Sequence, residues 1–428
     1  MIVANDTIRV WKENIPAHWQ VLPLKYTITY NDDKLTDQTD ENFEFDYVDI
    51  GSVTYGKGIE TFQHMKFSDA PSRARRIVKP KDVIMSTVRT YLKATAEIEE
   101  HNNPIIVSTG FMVMRARNGV MLPDFLGYIA QSDGLVSEIE CQSYGASYPA
   151  INAEEIAGLS IPLPPIPEQQ AIVRYLDAKC AAIDEAIERH KKIIEKLEEY
   201  RKNRITYLVT RGLRSKSMKA SGSDWYGDIP SDWEVKRFKY IAKVMSNLVD
   251  PEPYKDLPQV GPDIIEKDSG RLVGIRTVEE SGIISGNHLF YEGQLLYSKV
   301  RPALNKVVTA PFTGLCSADM YPIEAEINSE YLKWLMLSKP FTEQTRIIAS
   351  IRVKMPKINQ DELGNVVCVV PPTEEQEKIA MAIQEMCNKV QTSIDKHNDI
   401  INKLDEYRKS IIYNAVTGKI DCRTETQP

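Results

Sequence analysis

Two stretches of the chain carry apolar positions at alternating spacings of four and three. Ile183, Ile187, His190, Ile194 and Leu197 form one row, and Val390, Ile394, His397, Ile401 and Leu404 form the other. That spacing is the seam of a coiled coil: one apolar stripe on an otherwise polar helix. Each stripe lies in a helical run of about 44 residues, roughly 65 Å long at 1.5 Å per residue. Pro167 sits where a first-turn proline is expected, and Thr373 with Gln376 has capping-box spacing. A single stripe cannot bury itself, and its nearest partner is the other copy in the same chain. A globular stretch separates the two, so an antiparallel pair is expected.

The two runs are copies. Residues 164–210 align with 371–417 without a gap at an offset of 207, and about 19 of the 47 positions are identical. The matches include Glu168/Glu375, Gln169/Gln376, Cys180/Cys387, His190/His397 and Tyr200-Arg201-Lys202/Tyr407-Arg408-Lys409. A second similarity lies upstream of each run. Ile15-Pro16-Ala17-His18-Trp19 matches Ile229-Pro230-Ser231-Asp232-Trp233, and Val83–Arg89 matches Leu295–Arg301. Repetition at this scale makes the order module, helix, module, helix. The modules read as mixed α/β. Asp82–Val88 and Gln294–Val300 are expected as buried strands, and Leu122–Ser132 and Ser329–Leu337 as short helices. The expected fold class is α+β: two mixed α/β globular domains joined by two long helices in an antiparallel coiled coil, with an internal pseudo-twofold repeat. The domain boundaries fall at 1–165, 166–220, 221–372 and 373–428.

Composition excludes several classes. No apolar run approaches the roughly 18 residues of a membrane helix. Residues 1–14 lack the basic-then-apolar pattern of a signal peptide. The six cysteines form no CxxC pair, which argues against zinc ribbons and a disulfide scaffold. A reduced, cytoplasmic protein is expected. The net charge of -7 at first opposes nucleic-acid binding. Residues 166–220, however, carry 13 Lys and Arg against 8 Asp and Glu, and a local cationic stripe can hold phosphates whatever the bulk charge.

Catalytic patterns fail. Gly51–Lys57 imitates a phosphate-binding loop, but Gly58 stands where the magnesium-binding Ser or Thr belongs. No GxGxxG, GxSxG or HExxH occurs, so no catalytic residue and no metal site is assigned. His190 and His397 fit a polar pair that fixes helix register, or a metal- or proton-binding pair. Cys180 and Cys387 suit small apolar packing. Glu168-Gln169 and Glu375-Gln376 suit capping and dipole compensation in a first helical turn.

Candidates for contact with nucleic acid are cationic clusters with interleaved tyrosines. The first module offers Arg73, Arg75, Arg76, Arg89 and Lys93 with Tyr144 and Tyr148. The second offers Lys299, Arg301, Lys306, Arg346, Arg352 and Lys354. Arginine grips guanine bidentately, and lysine holds phosphate. A charge cluster is equally a solvated face, and a strand-ending ion pair is the competing reading of Ser86-Thr87-Val88-Arg89. Its recurrence as Ser298-Lys299-Val300-Arg301 favours function.

These features together resemble the specificity (S) subunit of type I restriction–modification systems, over about residues 10–420. The motifs that carry the resemblance are Ile15-Pro16-x-x-Trp19 and Ile229-Pro230-x-x-Trp233, Pro164–Gln169 and Pro371–Gln376, and Val416-Thr417-Gly418. The first copy departs from the last motif, reading Val209-Thr210-Arg211-Gly212. The resemblance implies two target-recognition domains, each reading half of a bipartite double-stranded DNA site. It implies that the helices set the spacing and dock two methyltransferase (M) subunits, with motor-nuclease (R) subunits joining that core. S-adenosylmethionine, ATP and magnesium would then belong to the partner subunits, and this chain would hold no cofactor. The competing expectations are an interaction scaffold with two repeated binding modules and a standalone DNA-binding regulator.

Overall fold

The computed structural model describes residues 15–214, 216–352 and 354–423. The signal-peptide reading of residues 1–14 and the end of the tail, 424–428, lie outside the described residues. The fold is mixed α+β, in two compact units: Met1–Arg189 with Ile400–Pro428, and His190–Asp399. Both long helices cross that division, so each unit contains part of each helix.

In the first unit an antiparallel sheet has the spatial order Ile28–Tyr30, Phe111–Ala116, Val83–Ser86, Thr95–Glu97. Its strand Val83–Ser86 is buried throughout. Side chains alternate between faces along a strand, and the two faces meet different neighbours. Val83 and Met85 join the core of helix α1 (Pro123–Gln131) through Phe125, Leu126 and Ile129. Ile84 turns the other way, onto Val48 and Val107. Those two residues belong to a second sheet, ordered Gln63–Lys66, Glu44–Val48, Ile105–Ser108, Ala74–Ile77, whose middle pair is parallel. Helices α2 (Asp133–Gln142) and α3 (Ala153–Gly158) complete the module before the first long helix, α4 (Ile166–Arg211).

The second unit follows the same order of elements. Its antiparallel sheet runs Ala242–Val244, Met320–Ala325, Leu295–Ser298, Val307–Thr309. Leu295 and Tyr297 face helix α5 (Ser329–Leu337), while Leu296 faces Val260, Phe290 and Cys316 of a five-stranded sheet. Helices α6 (Lys339–Ser350) and α7 (Gln360–Gly364) precede the second long helix, α8 (Thr373–Val416). The helices after α1 and α5 were not anticipated. Each is separated from its predecessor by one buried serine, Ser132 or Ser338, whose hydroxyl donates to the carbonyl of Ile129 or Leu335. The serine satisfies the helix end and lets the chain turn at once into a new helix. The expected strands Asp82–Val88 and Gln294–Val300 shorten to Val83–Ser86 and Leu295–Ser298, because the chain leaves the sheet toward the site described below.

The long helices pack together within each unit. In the first unit Asp184 of α4 pairs with Arg408 of α8, and Glu168 of α4 lies 3.6 Å from Arg423 in the tail that follows α8. In the second, Arg201 of α4 meets Gln391 of α8 at 3.3 Å and His190 meets His397, while Lys216, in the segment after α4, meets Glu375 at 2.7 Å. In both units residue numbers rise along α4 as they fall along α8. Ile183 and Ile187 are buried in a core that Ile401 and Leu404 flank; Val390 and Ile394 are buried, and Ile194 and Leu197 are half-buried.

The recurring motifs form one joint in each unit. Trp19 donates its indole N–H to Glu168 at 2.9 Å, and Trp233 donates to Glu375 at 3.0 Å. Burial alone would raise the Glu168 carboxyl, but the Trp19 and His18 hydrogen bonds and nearby Arg423 hold it below the usual carboxylate range. The neighbouring amide spans the module floor. Gln169 accepts from Leu122 N and donates to Pro164 O, and Gln376 accepts from Asn328 N and donates to Pro371 O. Glu168 and Gln169 therefore do more than cap a helix. A glycine at positive φ closes each joint. A Cβ on Gly418 would lie 2.4 Å from Pro16, and one on Gly212 would lie 2.8 Å from Glu375 and 3.2 Å from Trp233. The first copy carries the extra Arg211, and α4 runs two residues past Val209, the equivalent of the last residue of α8; Gly212 still lands on its tryptophan.

Candidate nucleic-acid interface

The site grows from the ends of the two buried strands. After Ser86, Val88 bridges Ala150 and Arg89 adopts φ 53°, ψ 48°. A turn over Thr90–Leu92 follows, and Lys93 has φ 52°. After Ser298, Val300 bridges Lys357, Arg301 adopts φ 48°, ψ 60°, a turn covers Pro302–Leu304, and Asn305 has φ 47°. A left-handed conformation costs a residue with a Cβ roughly 1–2 kcal/mol. Such strain persists where the surroundings over-determine it, and it gathers at functional sites. Here the over-determining contacts recur. Ile151 N donates to Thr87 O, and Ile358 N donates to Lys299 O, both at 2.9 Å. Arg301 N donates to Pro356 O at 2.7 Å, and Thr90 N to Pro149 O at 3.4 Å. Each arginine is thus presented, exposed, from a pair of clamped loops.

In the first unit this loop pair borders a cleft of about 420 Å³, lined by Asp49, Arg73, Thr87, Arg89, Ser108 and Gly110 among others. The Arg89 guanidinium lies 5.1 Å from the centre of the Tyr148 ring. Arg73 donates from Nε to Tyr47 Oη at 3.1 Å and sits 3.5 Å from Asp49. Two guanidinium groups, three hydroxyl side chains, the Asp49 carboxylate and exposed backbone make a polar cleft with donors for a base edge or a phosphate.

The remaining candidates divide by what holds them. Tyr144 donates to Glu155 at 2.8 Å and accepts from Asn152 at 3.1 Å. Arg352 donates to Glu362 and to Lys357 O, both at 2.8 Å. Glu155 and Glu362 are the third residues of capping boxes begun by Asn152 and Asn359. The Asn152 backbone N–H and then Tyr144 lower the Glu155 carboxyl, while Arg352 chiefly lowers that of Glu362. Tyr144 and Arg352 therefore spend their polar tips on anchoring the loops. Lys93 turns to Glu140 at 3.1 Å. Arg75 lies half-buried over Phe67, and Arg346 pairs with Glu343 one turn away. Lys306 donates to Pro262 O, and Lys299 sits over the Tyr321 ring. Arg76 is half-buried, and its desolvation lowers its pKa. Lys354 is exposed. The structure brings together Arg73, Arg89 and Tyr148 in one unit, and Lys299, Arg301, Arg352 and Lys354 along one loop pair in the other. Sequence reasoning missed Tyr47, Asp49 and Ser108–Gly110, which come from the second sheet and the turns that leave it and share no local motif with Arg89.

Gly51–Lys57 lies in a small hairpin in which Val53–Thr54 pairs with Gly58–Ile59, and no helix follows. The Nδ1 atoms of His190 and His397 lie 2.7 Å apart, and no third ligand-type side chain converges on them among the described residues. No described helix is long and apolar enough to cross a membrane.

A model of the type I restriction modification DNA specificity domain matches residues 22–199. The specificity subunit of the EcoDI type I restriction enzyme of Escherichia coli is 31% identical over 303 residues, covering 67% of this chain and 68% of its own. That of MjaVIII from Methanocaldococcus jannaschii is 23% identical over 334 residues, covering 74% of each. A chain in a solved structure concerned with assembly and conformational transition of the type I R-M system superposes with a TM-score of 0.72. It is 20% identical and covers 95% of this chain and all of its own, which shows a shared fold. The chain belongs to the DNA specificity subunits of type I restriction–modification systems.

Proposed function

We propose that this chain is the non-catalytic, target-reading subunit of its complex, working in the cytoplasm. Two copies of one module, residues 1–165 and 221–372, each read one half of a bipartite duplex site. The helices over 166–220 and 373–428 form an antiparallel coiled coil that sets the distance between half-sites and docks two methyltransferase subunits. Motor-nuclease subunits join that core, and S-adenosylmethionine, ATP and magnesium reside in those partners. The observation that carries this reading is the recurrence of a strained, clamped arginine, Arg89 and Arg301, at the same place in both units. Strain kept twice at an exposed cationic side chain, where glycine would fold at lower cost, is best explained by the side chain's task.

Methylome sequencing of cells with and without the protein is the test. A gapped methylated motif is expected to vanish with the chain. Arg89→Ala should relax one half of that motif only, and Arg301→Ala the other. Loss of a bidentate guanine contact costs about 1–3 kcal/mol at the affected position. An equal fall on both halves for each variant would assign these residues to folding or to phosphate contact. Purified without partners, the chain should neither methylate nor cleave DNA.

A further inference from the structure

We propose that the segment 354–357 of the second unit drives Met355 between base pairs beside Arg301, so that this unit reads part of its half-site as DNA deformability. The proposal rests on the DNA-reading role above and adds the means. Arg352 closes the loop at its base, donating to Lys357 O at 2.8 Å and to both carboxylate oxygens of Glu362 at 3.2 and 2.8 Å. Glu362 is fixed in turn by Asn359 N at 2.8 Å. Across the loop, Pro356 O accepts from the Arg301 backbone N–H, and Lys357 bridges Val300. The proline that follows Met355 disfavours helical backbone there and stiffens the tip.

On this clamped loop Met355 is 57% exposed, and Ile351 at its start is 81% exposed. Lys354 and Lys357 are exposed beside them. Large apolar side chains left in water amid cations call for a partner that is both apolar and polyanionic. A stack of bases flanked by phosphates meets both demands. Apolar wedges, methionine among them, unstack base steps in this way, and pyrimidine–purine steps yield most easily. The corresponding loop of the first unit carries Tyr148 against Arg89 instead, so the wedge belongs to one half-site.

The test uses the full chain in complex with its methyltransferase subunits. The probe is a duplex carrying the motif found by methylome sequencing, with 2-aminopurine placed in turn at each step of the half-site that Arg301→Ala relaxes, leaving out the steps that contain the methylated base, which a methyltransferase itself flips from the stack. Binding should raise fluorescence several-fold at one step. Met355→Ala should abolish the rise and weaken binding about tenfold while leaving the salt dependence unchanged, and Met355→Leu should restore the rise. Lys354→Ala should instead lower the salt slope by about one. A complex that binds and methylates without a rise at any step, or a rise that survives in Met355→Ala, overturns the wedge and leaves the DNA-reading role standing. Absence of any gapped motif overturns that role itself.

Discussion

Arg89 and Arg301 hold a backbone conformation that glycine adopts freely. Arg301→Gly should therefore separate stability from function. Relief of left-handed strain is worth roughly 1–2 kcal/mol, offset by about 0.4–1 kcal/mol of added freedom in the unfolded chain. The variant should be as stable as the parent, or more stable by up to about 1.6 kcal/mol, in denaturant unfolding, while its half-site loses definition. The anchors behind the arginines respond to pH. The Glu362 carboxyl lies below its ordinary value of 4.5, chiefly through Arg352. A depressed folded pKa gives stability that is fully present above the ordinary value and lost as pH falls through the depressed one. Thermal unfolding of the parent and Glu362→Gln should therefore differ above about pH 4.5 and converge in stronger acid.

At the scale of elements, the joints between modules and helices set the tolerances. Gly418→Ala would put a Cβ 2.4 Å from Pro16 at φ 71°. Overpacking of about 1–3 kcal/mol then adds to the left-handed cost of roughly 1–2 kcal/mol, and calorimetry should show a clear drop in Tm. Ile187→Asp would bury an unpaired charge among Ile183, Ile401 and Leu404, with loss of soluble protein or of complex assembly as the outcome. The long helices were legible from sequence because a helix writes its buried face into local spacing. The strands were legible where they are buried on both faces, as at Val83–Ser86. The sheet orders were not, since strand pairing is decided by contacts between distant residues. The same reason hid the cleft: Asp49, Arg73, Arg89 and Ser108 converge from four separate elements. Residue type alone also could not tell a free cation from an anchored one. Lys93 looked available until Glu140 was beside it, and Arg352 until Glu362 was.

For the whole molecule, a net charge of -7 gives DNA no general attraction, so recognition depends on where cations are presented and how far apart. On the proposed reading the helices fix that distance. His190 lies opposite His397, so position 192 of α4 faces the neighbourhood of 395 in α8. Seven residues added after Lys192 and seven after Ile394 keep the 3.5-residue seam in register, whereas one or two residues would rotate it. The matched insertion lengthens the pair by about 10 Å. DNA rises about 3.4 Å per base pair, so the non-specific spacer should grow by up to about three base pairs, and by fewer if the helices lie oblique to the duplex. The bases read in each half-site should not change, since neither Arg89 nor Arg301 nor their clamps are touched. Methylome sequencing reads both quantities at once. An active variant with an unaltered spacer would show that something other than helix length sets the spacing.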